Sequence, residues 1–355
     1  MEEFVLMKGN EAIAEAAIRA GTDGYFGYPI TPQSEVIEYL AAARPHERTG
    51  MVLLQAESEV AAINMLYGGA GAGKKVMTSS SSPGISLMQE GISYIAGSEL
   101  PCLIVNVVRG GPGLGTIQPS QSDYFQATKG GGHGDYNLIV LAPASVQEMA
   151  DFVSLGFDLA FKYRNPVMIL SDGAIGQMME KVKFKPQQPR SKKSPDWATT
   201  GKTPDRERNI ITSLDLDPAR QERFNEKLQA KYKEICKKEV RYEKIQCDDA
   251  EYLFVAYGTS SRICQKSIQM AREEGIKVGL FRPITLWPFP YNEIREMADQ
   301  VKGMLSVEMS AGQMVEDVKL AVEGKVKVKH YGRMGGIIPT PDEIVENFKQ
   351  NIIGG

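Results

Sequence analysis

The chain has 355 residues, 42% of them hydrophobic and 24% charged, with a formal net charge of −3. That length supplies two or three domain cores rather than one small binding module, and the composition is that of a soluble globular protein. The charge offers no general attraction for nucleic acid or for an anionic membrane.

The N-terminal stretch MEEFVLMKGNEAIAEAA opens with two acids and lacks the basic start and apolar run of a signal peptide. No segment approaches the roughly 20 apolar residues of a membrane span. The four cysteines (Cys102, Cys236, Cys247 and Cys264) form no CxxC pair and stand apart from His46, His133 and His330. That spacing argues against a zinc or iron–sulfur site held by this chain, and against a disulfide framework. The expectation is a cytoplasmic protein in a reducing compartment, binding no metal through its own side chains.

From the N-terminus, the runs GYFGYPI, MVLLQ, KVMTSS, PCLIVNVV, YNLIVLAP and NPVMILSD alternate with amphipathic stretches such as NEAIAEAAIRAG and SVQEMADFVSLGFDLAFKY. Apolar runs with little polar alternation suit strands covered on both faces. Residues 181–250 then carry 18 Lys/Arg against 12 Asp/Glu, a net of +6, whereas the rest of the chain nets −9. This segment begins as a Pro-, Lys- and Ser-rich linker and continues into a charged helix, PARQERFNEKLQAKYKEICKKEV. It reads either as a solvated connection or as a basic docking surface. EYLFVAYG, KVGLFRPI, GMLSVEMS and KVKHYG follow, again with helices between them. The predicted architecture is α/β, with two doubly wound domains at 1–180 and 251–355 and the charged linker and helix at 181–250 between them.

In such sheets ligands sit at the carboxyl ends of the strands, so the loops leaving the strands carry the chemistry. The first, YPITPQS, is stiffened by Pro29 and Pro32 and offers the Thr31 hydroxyl; it also reads as an ordinary helix start with Thr31 as cap. The second, LLQAESEVAAINML, places Glu57 and Glu59 at a helix start followed by an almost wholly apolar turn. A carboxylate there serves either the helix dipole or, partly desolvated, a ligand with which it shares a proton. The same helix ends in GGAGAGKK, which fits GxxxxGK from Gly68 to Lys74. Lys75 replaces the needed Ser or Thr and a strand follows instead of a helix, so the glycines read as a helix end. The third loop sets Ser79 to Ser82 before a helix, as caps or as an anion site, with no His/Asp pair nearby to activate a nucleophile. The fourth, RGGPGLGTIQPSQSDYFQATKGGGHGDY, is long and glycine-rich, suits a lid, and is opened by Arg109, a residue fitted to a carboxylate.

Together GYPITPQS, ESEVAA and VVRGGPGLG resemble the alpha-type subunit of 2-oxoacid:ferredoxin oxidoreductases, specifically the 2-ketoisovalerate type, with the 2-oxoglutarate type a close relative. The resemblance covers the whole chain. It implies a thiamine-diphosphate pyrimidine-binding domain followed by a transketolase C-terminal-like α/β domain. It also implies oxidative decarboxylation of a 2-oxoacid to acyl-coenzyme A and CO₂, with reduction of ferredoxin. By the same resemblance Glu59 bonds N1′ of the cofactor's aminopyrimidine ring, Pro29 touches the cofactor, and Thr31 and Arg109 hold the 2-oxoacid. The GDG motif and downstream asparagine that hold the diphosphate through magnesium in thiamine enzymes have no good counterpart. The nearest is SDGAIG at Asp172, with no asparagine before Asn209. The resemblance therefore implies a beta-type subunit for Mg²⁺ and diphosphate, a ferredoxin-like subunit for [4Fe-4S] clusters, and a gamma-type subunit, with the RGGPGLG loop closing a site at a subunit interface. Outside this class, the glycine-rich loops leave a nucleotide-binding module as the alternative, and a non-catalytic scaffold if Thr31, Glu59 and Arg109 are only caps and surface charge.

Overall fold

A computed structural model describes residues 4–191 and 193–354. Its strands, in chain order, are β1 (Val5–Lys8), β2 (Gly24–Gly27), β3 (Val52–Gln55), β4 (Val76–Ser80), β5 (Leu103–Val108), β6 (Ile139–Leu141), β7 (Val167–Asp172) and β8 (Met179–Val182). They continue with β9 (Tyr242–Ile245), β10 (Tyr252–Val255), β11 (Val278–Pro283), β12 (Thr285–Trp287), β13 (Gly303–Glu308) and β14 (Lys327–Gly332). The apolar runs of the sequence all become strands. β5 and β7 are buried along their whole length, as strands covered on both faces must be.

The first sheet has the order β12-β6-β7-β5-β4-β2-β3 and is parallel except at its β12 edge. The second has the order β14-β13-β10-β11-β9 and is parallel except at β9; β1 and β8 form a small antiparallel ribbon. Sheet membership cuts across the chain order in two places. β9, from within 181–250, completes the second sheet, and β12, from within 251–355, pairs with β6 through Thr285↔Leu141 and Trp287↔Val140. Three residues between prolines give no period to read, so β12 carries no strand signal in the sequence. The charged helix spans Pro218–Lys238, with Asp217 capping it, and buries only Leu228, Tyr232 and Ile235.

The helices that cover the first sheet follow from caps and apolar stripes. Helix Val146–Tyr163 starts where the Ser145 hydroxyl accepts from the Glu148 amide (3.1 Å) and buries Met149, Val153 and Phe157 against the strands and against helix Gly9–Arg19. In this sheet β2 is flanked by β3 and β4, so successive connections run in opposite directions from it. That topological switch point, between the loops that leave β2 and β4, is where open α/β sheets bind their ligands.

Among the described residues no helix is long and apolar enough to cross a membrane. The four cysteines are free; Cys236 is exposed and the others are buried.

Candidate functional site

Glu59 opens helix Glu59–Gly71, behind the Ser58 cap, whose hydroxyl accepts from the Ala61 amide at 3.2 Å. The helix is apolar on nearly every side, and Glu59 is drawn in with it, to 7% exposure. Its neighbour Glu57 stays in solvent and accepts from the Ser58 hydroxyl (3.2 Å). The glutamate that could meet a buried ligand is therefore Glu59. Its carboxylate faces the start of helix Ser82–Gly97 at Gly84, where a β-carbon would lie 2.7 Å from Glu59 Oε1 and would collide with the Ser80 hydroxyl. The close approach is why position 84 needs glycine. The buried hydroxyls of Ser80 and Ser81 have no hydrogen-bond partner, and neither does the Glu59 side chain among the described residues.

The β2 loop is fixed from below. Asn10 and Gln177 both donate to the Pro32 carbonyl, at 2.7 and 3.2 Å. Tyr25 donates to the Ser79 hydroxyl, which donates to Gln33 Oε1 (2.7 and 2.6 Å). Pro29 is half-buried and the Thr31 side chain is exposed, held up by this buried scaffold. Gln33 was not legible as a site residue, although it is fully buried and ties the β2 loop to β4.

Arg109 follows β5 and is 9% exposed. Its backbone is clasped by Ser82, whose hydroxyl accepts from the Arg109 amide (3.1 Å) and lies 3.2 Å from the Arg109 carbonyl. One guanidinium nitrogen donates to the Thr31 carbonyl (2.9 Å), the other to the Leu114 carbonyl (3.1 Å), and Nε has no partner. The structure thus brings Thr31 and Arg109 together, and the start of helix Ser82–Gly97 touches both Arg109, through Ser82, and Glu59, through Gly84.

These two charges differ from the other buried charges of the chain. Glu15 meets Arg19 and Arg48, Asp23 meets Arg190, Glu99 meets Lys227 and Lys231, Glu239 meets Lys162 and Arg241, and Asp317 meets Lys129. Arg282 lies between Glu148 and Glu243. Asp172 has no cation and Glu308 only the His330 imidazole at 4.0 Å, but both are saturated by amides and hydroxyls. Arg109 has only two neutral carbonyls, and Glu59 has nothing. Among the described residues these two charges of opposite sign reach the start of helix Ser82–Gly97 without a charged partner, an arrangement that suits a ligand carrying the matching groups.

The long loop behaves as three parts. Residues 110–118 close on themselves, with Gly110 donating to the Gln118 carbonyl (2.9 Å) and Thr116 to the Gly110 carbonyl (2.8 Å), and remain largely exposed. From Ser120 to Thr128 the chain is pinned to the second sheet's lobe. The Gln121 side chain donates to the Tyr257 carbonyl (2.8 Å) and accepts from Ser260 (2.7 Å) and the Met309 amide (2.9 Å), and Tyr124 donates to Asp317 (2.6 Å). A lid of the whole loop is thereby corrected to a buried anchor at 119–128 with an exposed stretch on either side, 111–118 and 129–135. Beside the tip opens a cleft of about 480 Å³, lined by Ser82, Gly111, Gly113, Asp123, Gln313 and Met334. Burial pushes the Asp123 carboxyl up, against the pull of Asn106 and Ser82.

Asp172, the nearest counterpart of a diphosphate motif, caps helix Gly173–Gln177 by accepting from the Ala174 and Ile175 amides (2.9 and 3.3 Å) and from the Thr259 hydroxyl (2.8 Å). Asn209 donates to the carbonyls of Asp196 and Ala198 (2.6 and 2.9 Å). Neither points at the other's partners, and among the described residues no cluster of His, Cys, Asp or Glu could hold a metal ion. The glycines of GGAGAGKK end helix Glu59–Gly71, with Gly73 at φ +73°, and Lys75 donates to the Ala20 carbonyl (2.9 Å). A phosphate cradle is therefore not formed there.

Comparison with known proteins agrees with this geometry. Residues 15–246 match the family model described as pyruvate flavodoxin/ferredoxin oxidoreductase, thiamine diphosphate-binding, and residues 250–344 match pyruvate:ferredoxin oxidoreductase core domain II. The chain is 51% identical to ketoisovalerate oxidoreductase subunit VorB of Methanothermobacter thermautotrophicus, over 97% of each chain. A solved 2-oxoglutarate:ferredoxin oxidoreductase from Magnetococcus marinus, with 2-oxoglutarate, coenzyme A and succinyl-CoA bound, superposes with TM-score 0.86 at 30% identity, covering 99% of this chain and 66% of that longer one. A split-gene transketolase (TM-score 0.61, 14% identity, 98% of each chain) shares the fold.

Proposed function

This chain belongs to the pyruvate flavodoxin/ferredoxin oxidoreductase family, and from that membership we propose that it is the thiamine-binding catalytic subunit of a coenzyme A-acylating 2-oxoacid:ferredoxin oxidoreductase. The observation that carries the reading is the pair of buried, uncompensated charges, Glu59 and Arg109, at the switch point of the first sheet. The name of the relative at 51% identity supports 2-oxoisovalerate as substrate, and 2-oxoglutarate is the alternative.

This site fits half of the cofactor. Glu59, unpartnered and backed by Gly84 and the free hydroxyls of Ser80 and Ser81, suits the ring nitrogen N1′ of the aminopyrimidine, and Pro29 lies on the adjoining loop. Thiamine diphosphate, when bound, supplies the carbon nucleophile needed to cleave a 2-oxoacid between its carbonyl and carboxyl carbons. Glu59 holds a proton against N1′ in a site that excludes water from one side, which keeps the ring in its reactive protonation state. Arg109 takes the substrate carboxylate, the charge its own neighbours do not balance, and the Thr31 hydroxyl orients the oxo group. The diphosphate half does not fit, since Asp172 and Asn209 are spent within the chain, so Mg²⁺ and diphosphate fall to a beta-type subunit. The [4Fe-4S] clusters fall to a ferredoxin-like subunit, with a gamma-type subunit completing a cytoplasmic complex.

The test is reconstitution. The isolated chain should be inactive toward 2-oxoisovalerate, 2-oxoglutarate and pyruvate, whereas the complex with its partner subunits should reduce a viologen dye only when coenzyme A is present. Turnover by the isolated chain, or tight ATP binding by it, would overturn the reading.

A further inference from the structure

The tip of the loop after β5 exposes Leu114 (82%) and Ile117 (54%), although the loop's backbone is closed by its own hydrogen bonds. Leu114 therefore stands open on a turn whose backbone is firmly built. Its position is set by Arg109, which grips the Leu114 carbonyl with one terminal nitrogen and the Thr31 carbonyl with the other, so the two carbonyls stand one guanidinium apart. An arginine has five N–H donors. Two are used here, and the cation keeps donors and an unbalanced charge for a carboxylate without releasing either loop. A 2-oxoacid bound through its carboxylate to Arg109 therefore has Leu114 as a neighbour.

The surroundings decide which kind of side chain that neighbour receives. The segments 28–33, 56–59, 79–84 and 110–118 contain no lysine or further arginine. On the facing loop of the second lobe, which meets Gly110 at Gly335 and Gly336, Arg333 is paired with Glu343. The same loop exposes Met334, Ile337 and Ile338. Among the described residues these segments thus offer apolar surface and no unpaired second cation beside Arg109.

We propose that Leu114 is a specificity-determining residue: it contacts the side chain of the 2-oxoacid and selects a short branched aliphatic group over one that ends in a carboxylate. The proposal rests on the functional reading above, in which Arg109 binds the substrate carboxylate. One methylene more or less against an apolar pocket changes discrimination by roughly 10–200-fold.

The experiment compares Leu114→Ala, Leu114→Lys and Leu114→Met in the assembled complex, with kcat and KM measured for 2-oxoisovalerate, 2-oxoglutarate and pyruvate by dye reduction. Leu114→Ala should lower kcat/KM for 2-oxoisovalerate about tenfold or more, mainly through KM, while leaving pyruvate, whose methyl group is too short to reach, nearly unchanged. Leu114→Lys should move the ratio of 2-oxoglutarate to 2-oxoisovalerate upward by a factor of the same order, and Leu114→Met should retain the wild-type preference. An equal loss for all three substrates, or failure of the alanine and lysine complexes to assemble while the methionine complex does, would make Leu114 a subunit contact and overturn the proposal. A wild-type complex that oxidises none of the three would instead overturn the functional reading itself.

Discussion

Glu59 in the first lobe and Glu308 in the second are both buried carboxylates at helix starts, and they are treated in opposite ways. Glu308 is fully buried at the end of β13 and accepts from the Gln313, Met314 and Val315 amides, each at 2.9 Å, and from the Ser306 and Ser310 hydroxyls (3.1 and 2.9 Å). Glu59 has no partner among the described residues and faces Gly84 beside the unpartnered Ser80 hydroxyl. A saturated buried acid contributes to folding; an unsaturated one costs stability that only a bound ligand recovers. Position at a helix N-terminus does not distinguish the two. The fate of the lone pairs does.

The largest effect that would test this contrast is on Glu59. Glu59→Gln in the assembled complex should lower turnover at least about a hundredfold, the scale of a lost proton-handling group, with the melting temperature of the chain unchanged or raised. Unaltered turnover would remove Glu59 from the mechanism. Arg109→Met should come next, with kcat/KM for the 2-oxoacid falling about a hundredfold as a charge-assisted carboxylate contact is lost, and with the larger part in KM; added guanidinium restoring activity would sharpen the assignment.

Glu308→Gln should do the reverse of Glu59→Gln. Stability, followed by denaturant unfolding, should fall by about 2–4 kcal/mol, while KM for the 2-oxoacid in the surviving folded complex stays at the wild-type value. The smallest effect concerns a paired acid far from the candidate site. Burial pushes Glu15 up, but Arg48 and Arg19 outweigh it and hold the carboxyl below its ordinary 4.5. A folded-state value below the unfolded one gives stability that is present above about pH 4.5 and is lost as pH falls through the folded value. Glu15→Gln should therefore lower stability near neutral pH and flatten the acid limb of the stability curve measured by urea unfolding.

Much of the site was legible as separate loops. The strand runs, the prolines around Thr31, the acids before an apolar turn and the arginine after β5 are local signals, because backbone restriction, helix amphipathicity and strand burial act within a few residues. Which of Glu57 and Glu59 is buried was not legible from periodicity, since the two carboxylates differ by how the helix packs on Gly84 and not by their neighbours in the chain. The expectation of a long lid erred for a related reason. The stretch after Pro119 looks polar and loop-like, yet Ser120 and Gln121 are buried because their partners, Tyr257, Ser260 and Met309, lie in the other lobe. Polarity reads as exposure until the partner is known.

The sequence by itself determined the alternation of strands and helices, the order of the loops and, through three motifs, the family. Those follow from propensity, period and residue type, which each short segment carries alone. Only the tertiary structure decided that β12 would join the first sheet and that Asp172 would be spent on a cap and on Thr259. It alone left Glu59 without a partner and Arg109 with only two neutral carbonyls among the described residues. Compensation is a property of what lies across space from a charge, and that is fixed only when distant segments are packed together.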